Sequence, residues 1–274
     1  MITSQLMGGL GNQMFQVAAA VSLAKDFGEE VAFDYNQHYL PNQGNAAVNY
    51  VENIFRNIVF KEDIIVSDTF KQRGFHFRYP INNISRIRFF LSKYSNNYFN
   101  YNLMLKGYFQ SYKYFFNNEN YIKKLFSIDK KSNELIKDNY NVLLEKNPGF
   151  IHIRRGDYLD KPNIHPTCTL DYYYSAINMF DDDKKFLVFS DDLDWCKKNF
   201  QDDKFVLIND NLDYIDLYLM SMCSSAIIAN SSFSWWGAYL IKESNKKIIA
   251  PKNWFGDTVK ANTKDLIPKD WILL

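Results

Sequence analysis

The sequence predicts an α/β fold built on parallel sheets, and three observations carry that reading. The chain opens with a strand, a glycine-rich loop, a helix and a second strand. Its second half repeats short apolar strands separated by helical stretches. Polar and charged residues gather where those apolar runs end, which is where open α/β sheets bind ligands. Parallel strands are buried on both faces, so they read as continuous apolar runs rather than as alternations.

Residues Ile2 to Leu6 form the first predicted strand, and Gly8, Gly9 and Gly11 a tight loop after it. Asn12 is placed as the N-cap of a helix, where its amide can donate or accept. Met14, Val17, Ala18, Val21 and Ala24 recur at helical spacing and end at Phe27-Gly28. Val31 to Asp34 reads as the second strand. The loop misses the dinucleotide fingerprint, because the third glycine position is Met14, and this disfavours a nicotinamide enzyme. Two readings of the loop stay open: a backbone that a ligand can approach closely, and a tight turn with no ligand.

From Tyr39 to Asn102 the chain carries Pro41, Gly44, Pro80 and many Asn and Tyr, which predicts irregular helices and loops. Aromatic faces and amides there would suit a docked sugar. Leu105 to Ser111 reads as a strand leading into a helix. Helices follow over Asn118–Phe126 and Ser132–Lys146, and Asn147-Pro148-Gly149 breaks the chain. That breaker puts the boundary between two domains, 1–146 and 147–274.

The second half is more regular. Phe150 to Ile153 is an apolar strand ending in Arg154-Arg155-Gly156-Asp157. A long loop with Pro162 and Pro166 leads to a helix near Leu170. Strands are expected at Lys185–Ser190, Phe205–Ile208, Ala226–Ala229 and Lys247–Ala250. Helices are expected at Asp194–Phe200, Tyr214–Met222 and Trp235–Ile241. Trp235 and Trp236 are read as packing their helix onto the sheet.

Three strand tips then carry the chemistry. Two adjacent guanidiniums, Arg154 and Arg155, suit an anionic ligand, since arginine offers a planar fork of donors and keeps its charge. Period-two alternation puts His152 and Arg154 on one face and Arg155 on the other. One arginine is expected to meet a phosphate and the other to brace the turn. Both could equally pair with acidic neighbours. Asn230, Ser231, Ser232 and Ser234 precede a helix, which is either an anion site or ordinary capping. Asp191 and Asp192 end the third tip. A carboxylate there can accept from both N1 and N2 of guanine; alternatively the acids lie in a solvated turn opening a helix, where they suit its dipole, or Asp192 and Asp194 form a metal-binding pair. Arg155-Gly156-Asp157 is also an adhesion tripeptide, disfavoured because it abuts a buried strand.

Composition narrows the field. With 274 residues and 47% hydrophobic content there is ample core for one large or two small domains. A net charge of +1 supplies no general field for nucleic acid or an acidic membrane. Cys168, Cys196 and Cys223 lack the paired spacing of a zinc site, and their small odd number predicts a reducing, cytoplasmic compartment. His38, His76 and His165 form no ligand spacing. No apolar run reaches the roughly 18 residues of a membrane span, and the N-terminus does not read as a signal peptide. Peripheral association with the inner face of a membrane stays open. The 19 Tyr and 23 Phe reflect biased composition more than sugar stacking.

Three motifs, Gly8-Gly9-Leu10-Gly11-Asn12-Gln13-Met14-Phe15-Gln16, Phe150 through Tyr158, and Asn230-Ser231-Ser232-Phe233-Ser234-Trp235-Trp236-Gly237, occur in this order across nearly the whole chain. Together they resemble the α-1,2-fucosyltransferases of glycosyltransferase family 11, which also carry a segment similar to Gly107-Tyr108-Phe109-Gln110. The resemblance implies a GT-B-type fold of two Rossmann-like lobes, the acceptor on the first and the donor nucleotide on the second. It implies inverting, metal-independent transfer of L-fucose from GDP-β-L-fucose to the 2-hydroxyl of a terminal galactose, with no cofactor. Arg154 and Asn12 are then the catalytic residues, stabilising charge on the departing GDP. Substrate contacts fall to His152, Arg155, Asp191, Asp192, Asn230, Ser231, Ser232, Phe233, Ser234 and Gly11. Asp192 is assigned to guanine, with Asp191 as the alternate, and Asp157 to holding an arginine. The implied partners are GDP-fucose and a galactose-containing oligosaccharide or lipid-linked glycan. The alternatives are another GDP-sugar-dependent transferase and a non-catalytic nucleotide- or glycan-binding module.

Overall fold

A computed structural model describes residues 1–34, 44–72, 74, 76–78 and 101–274. His38 and much of the stretch read as a sugar-docking surface lie outside the described residues. The chain divides into two compact units, Met1–Ser127 with Asn262–Leu266, and Ile128–Ala261 with Ile267–Leu274. The division falls before the helix Lys130–Leu144, not after it at the Asn147-Pro148-Gly149 breaker. The reason is packing: Tyr140 of that helix donates its hydroxyl hydrogen bond to Asn211 Oδ1 at 3.0 Å, inside the second unit.

In the first unit, β1 (Ile2–Ser4) pairs in parallel with β5 (Leu103–Lys106), which pairs in parallel with β4 (Asp68–Lys71). A second parallel pair, β2 (Phe33–Asp34) and β3 (Phe60–Lys61), is tied to β1 by a bridge between Ile2 and Val31. Helix α1 (Leu10–Phe27) follows β1 and ends at Gly28, whose φ of 63° is the left-handed cap conformation that glycine adopts without strain. The spacing of its apolar residues predicted one buried face. Instead every residue from Leu10 to Ala24 is buried except Asn12, because Ala18, Ala19 and Ala20 are small enough for neighbours to close in all round. The cap is Gly9, not Asn12; Asn12 is the third helical residue, and its N–H donates to Gly9 O at 2.9 Å. Helix α2 (Glu119–Leu125) follows within the expected range, and a 3-10 turn at Tyr112–Tyr114 replaces the helix expected after β5.

The second unit holds α3 (Lys130–Leu144) and a parallel six-stranded sheet in the order β11-β10-β9-β6-β7-β8. The strands are β6 (Gly149–Ile153), β7 (Phe186–Ser190), β8 (Phe205–Leu207), β9 (Ser225–Ile227), β10 (Ile248–Ala250) and β11 (Ile272–Leu273). The first five match the expected apolar runs; β11 is too short to have left a pattern. The crossover helices are α4 (Leu170–Ile177), α5 (Leu193–Asn199), α6 (Asp213–Ser221) and α7 (Ser232–Tyr239). Side-chain caps start most of them: Asp129 for α3, Thr169 for α4, Asp192 for α5 and Ser231 for α7. Ile151 and Ile153 of β6 share one core with Tyr173, Ile177, Phe186, Val188 and Phe200. Trp235 and Trp236 are fully buried, as their packing role requires. At Gly237 a Cβ would lie 2.8 Å from Met220 Sδ, so α6 and α7 meet where only glycine leaves room. Among the described residues no helix is long and apolar enough to cross a membrane.

One half-buried acid strains this unit. Asp216 of α6 accepts from Asn211 Nδ2 at 2.9 Å, and burial pushes its carboxyl up to about 6. The native state therefore keeps a proton that the unfolded chain releases near pH 4, and this contribution to stability is lost as pH rises through 6. Asparagine at 216 keeps the acceptor without the charge. Asp216→Asn is expected to raise unfolding stability by about 1–3 kcal/mol above pH 7 and to have little effect at pH 4. Thermal melts of both proteins across that range check the sign.

Candidate active site

The strand order places the site. From β6 the chain steps outward to β7 and β8, then returns to the other side of β6 for β9 and continues to β10. The direction of winding reverses between β6 and β9, which pair directly through Ile151 and Ile227. Side chains and loops on either side of such a reversal diverge and leave a crevice beyond the carboxyl ends of the strands. The three polar tips identified from sequence are those of β9, β6 and β7, which lie next to one another.

Arg154 stands at the tip of β6, 36% exposed. Its Nη2 donates to Asp157 Oδ1 at 2.6 Å, and its Nη1 pairs with Asp191 Oδ2 at 3.0 Å. A guanidinium has five donors, so these two bonds leave others for a ligand. Asp157 holds an arginine, as expected, and is thereby committed. Gly156 makes room for the Asp191 bond, since a Cβ there would sit 2.6 Å from Asp191 Oδ2. Arg155 is the bracing arginine. Its Nε donates to Asp192 Oδ2 at 2.9 Å, its guanidinium lies 4.3 Å from the Trp195 ring, and its N–H donates to Asp191 Oδ1 at 2.8 Å. The adhesion tripeptide is thus folded into the tip.

Asp192 has two structural bonds. Oδ2 accepts from Arg155, and Oδ1 accepts from the N–H of Trp195 at 3.1 Å, capping α5. The Arg155 hydrogen bond, ahead of the cap and nearby positive charge, holds its carboxyl below the usual range. His152 is buried on the sheet face opposite the Ile151–Ile153 core, its ring 5.7 Å from that of Phe233. Burial first, and then the charge of Arg154, push it down to about 3, so it is neutral at physiological pH. Its Nδ1 is buried with no hydrogen-bond partner.

At the β9 tip the five predicted residues divide. Ser232 and Phe233 are half-buried at the start of α7, whose first-turn N–H groups face the crevice end of the helix. Ser231 accepts from Phe233 N–H at 3.3 Å as the cap. Ser234 is wholly buried and donates to Ser231 O at 3.3 Å. Asn230 is 2% exposed, and its Nδ2 donates to Pro166 O at 2.9 Å and Trp254 O at 3.0 Å. Its carbonyl accepts from Tyr158 Oη at 3.1 Å. Ser234 and Asn230 therefore hold the framework, because burial and backbone acceptors use up their polar atoms. Tyr158 links the β9 tip back to β6: its ring lies 5.4 Å from the Arg154 guanidinium and is stacked 4.8 Å from that of His165. Burial pushes its hydroxyl up to about 12, which keeps it a donor.

In the first unit, the glycine loop is braced by amides. Gln13 Nε2 donates to Gly8 O and Asn45 O, both at 2.8 Å, and Gln16 Oε1 accepts from Met7 N–H at 2.8 Å. Gly8 has a φ of 78°, a position that needs glycine. Gly11 is buried in the first turn of α1. Asn12 alone among residues Leu10 to Ala24 of α1 keeps some exposure. Among the described residues no three His, Cys, Asp or Glu side chains form a metal-ligating group.

Comparison with known proteins bears on this arrangement. The model of glycosyl transferase family 11 matches residues 1–274. An α-1,2-colitosyltransferase from Escherichia coli is 30% identical over 99% of this chain and 98% of its own length. A galactoside 2-α-L-fucosyltransferase from Caenorhabditis elegans is 26% identical over 99% of this chain and 78% of its own. Among solved structures, POFUT1 in complex with GDP-fucose superimposes with a TM-score of 0.56 at 12% identity, covering 90% of this chain and 97% of that one. The shared architecture is the GT-B type, two α/β units with parallel sheets.

Sequence reasoning located the tips but assigned no role to Tyr158 or Trp254, which fasten them. The available signal for Tyr158 was its place one turn beyond Arg154. Asn230→Ala is expected to cost about 2–5 kcal/mol, since it strands the carbonyls of Pro166 and Trp254. Urea unfolding monitored by tryptophan fluorescence measures this loss.

Proposed function

The chain belongs to glycosyl transferase family 11, and from that membership we propose that it transfers L-fucose from GDP-β-L-fucose to the 2-hydroxyl of a terminal galactose. The observation that carries the reading is Arg154 at the tip of β6, beside the β9 tip where α7 begins, at the point where strand order reverses. That combination supports a diphosphate: a permanent cation from one strand, and N–H groups of a helix start with the Ser232 hydroxyl from the next.

As the acceptor oxygen bonds to the fucose anomeric carbon, the bond from that carbon to the diphosphate oxygen breaks. Negative charge grows on GDP, and the acceptor proton is released. Fixed donors aimed at developing charge lower such barriers most. Arg154 is assigned that work, with the Ser231-Ser232 segment on the same diphosphate. Asn12, in the first unit, is assigned as a donor to the substrate. Asp191 or Asp192 accepts from guanine N1 and N2, sharing oxygens that also hold an arginine. His152, neutral and next to Phe233, contacts the nucleotide. The acids at the β7 tip are already bonded to guanidiniums, which supports a metal-independent reaction. A galactose-ended oligosaccharide or lipid-linked glycan is the acceptor.

A second reading keeps the reaction and changes the sugar. The 30% identical colitosyltransferase favours it, since colitose is fucose without its 3-hydroxyl. A site that bonds that hydroxyl would reject GDP-colitose strongly; a site without such a bond would accept both sugars.

The test is GDP release from GDP-fucose with a panel of β-galactosides in excess EDTA, repeated with GDP-colitose. Release stimulated by a galactoside is expected. Intact GDP-fucose with every acceptor would discard the fucosyl reading, and release only after added metal would discard metal independence. Arg154→Ala is expected to lower turnover about 10²–10³-fold while changing the melting temperature little, because its ion pairs are exposed. Asp192→Asn keeps the helix cap and is expected to relax selection of GDP over other nucleoside diphosphates, read by competitive binding.

A further inference from the structure

The turn after β5, Gly107-Tyr108-Phe109-Gln110-Ser111, is strained. Gly107 has a φ of 152°, and a Cβ there would meet Gln72 Cβ at 2.5 Å. Phe109 has a φ of 52°, in the left-handed region that costs a non-glycine residue about 1–2 kcal/mol. Its neighbours hold it there: the ring is fully buried, edge-on to Tyr114 with centroids 5.1 Å apart, and its N–H donates to Gln72 Oε1 at 2.7 Å. Strain maintained in this way calls for a function at the position it presents.

What the turn presents is Gln110. The residue is 8% exposed, and its Nε2 donates to Asn12 Oδ1 at 2.6 Å. Its own Oε1 is buried without a hydrogen-bond partner. Reversing the Gln110 amide alone would set acceptor against acceptor, so the bond couples the polarity of the two groups: while Gln110 donates, Asn12 accepts through Oδ1. With Oδ1 taken, Asn12 has its NH₂ left to offer. Among the described residues no acceptor takes that NH₂, and it lies where a Cβ on Gly8 would come within 2.6 Å. Gly8 thus leaves the space that Asn12 Nδ2 occupies.

We propose that Gln110 is a positioning residue that locks Asn12 as a hydrogen-bond donor to the substrate. The proposal rests on the reading that Asn12 touches substrate. Gln110 acts through Asn12 alone, by presenting a donor where its partner must accept. The sequence motif Gly-Tyr-Phe-Gln then has its purpose: two residues in unusual backbone conformations deliver one amide to the start of α1.

Steady-state turnover of GDP-fucose with lactose, together with melting temperatures, tests this in Asn12→Ala, Gln110→Ala and the double variant. Gln110→Ala is expected to lower kcat about 10–100-fold, with KM for lactose unchanged, and to add less than about twofold in the Asn12→Ala background. Gln110→Glu, nearly the same size, is expected to lower kcat as far, because a carboxylate turns the Asn12 NH₂ toward itself. Asn12→Asp, which still accepts from Gln110 but has no NH₂, is expected to match it with the melting temperature retained. A full loss from Gln110→Ala in the Asn12→Ala background, or wild-type kcat in Gln110→Glu, would overturn the proposal. Unchanged kcat in Asn12→Ala would overturn the assignment of Asn12 itself, and the proposal with it.

Discussion

The Arg154 guanidinium is held by the neighbouring β7 tip and by its own turn, and the rest of the candidate site depends on that. From the β7 side, Asp191 pairs with it directly and also accepts the Arg155 N–H. Within the turn after β6, Tyr158 lies by the guanidinium and ties it to the β9 tip through the Asn230 carbonyl. Asn230 in turn joins the loops around Pro166 and Trp254. One charged group is thereby fixed relative to both edges of the crevice. A long flexible side chain loses up to about 2 kcal/mol of rotamer freedom on ordering. Here much of that cost falls on folding rather than on substrate binding, which is the sense in which a site is preorganised.

The carboxylates have a second consequence. Asp157, Asp191 and Asp192 stand against Arg154 and Arg155, so the tip is not a simple basic patch. An anionic ligand approaches arginines whose charge is partly offset. Shape and hydrogen-bond direction then count for more than net attraction, and arginine suits this better than lysine. Its planar fork holds two carboxylates and still has donors to spare, where an ammonium has three in all. Replacing Arg154 with lysine would make both carboxylates and the ligand share one nitrogen in place of a planar fork.

Much of the fold was legible because its strands are short, apolar and buried on both faces. Ile151 and Ile153 announced β6, and Phe186 to Phe189 announced β7, well before any pairing was known. The start of α4 near Leu170 was legible too, and Thr169 turns out to cap it. The adjacency of the three tips followed from winding order, which sequence rhythm suggested and the sheet bears out. What stayed hidden was the use to which each polar atom is put. Asn230 and Ser232 are neighbours of similar polarity, yet one is a buried hub and the other half-buried at a helix start. That difference is set by Pro166 and Trp254, dozens of residues away, and no local pattern encodes it. The position of Asn12 in α1 was misread for a related reason. Gly9 caps the helix through its backbone alone, so the first polar side chain looked like the cap. The compact units divide ahead of α3 rather than at the local breaker; Tyr140 bonds α3 to Asn211, a tertiary contact that no local pattern encodes.

The two units solve a similar problem with different chemistry. In the second, a charged group is aimed by ion pairs and a ring. In the first, a neutral amide is aimed by another amide, at the end of a backbone held in an unfavourable conformation. An amide has a donor end and an acceptor end, so a position alone does not define what it offers; a partner of fixed polarity must do so. Guanidinium needs no such partner, since every edge of it donates. This difference explains why the arginine can be surrounded by several exposed acids, while the asparagine is matched to a single buried glutamine. It also explains why strain is found at Phe109 and not at Arg154. Orientation at the arginine is recoverable from many geometries, but at the asparagine only one arrangement leaves the NH₂ outward.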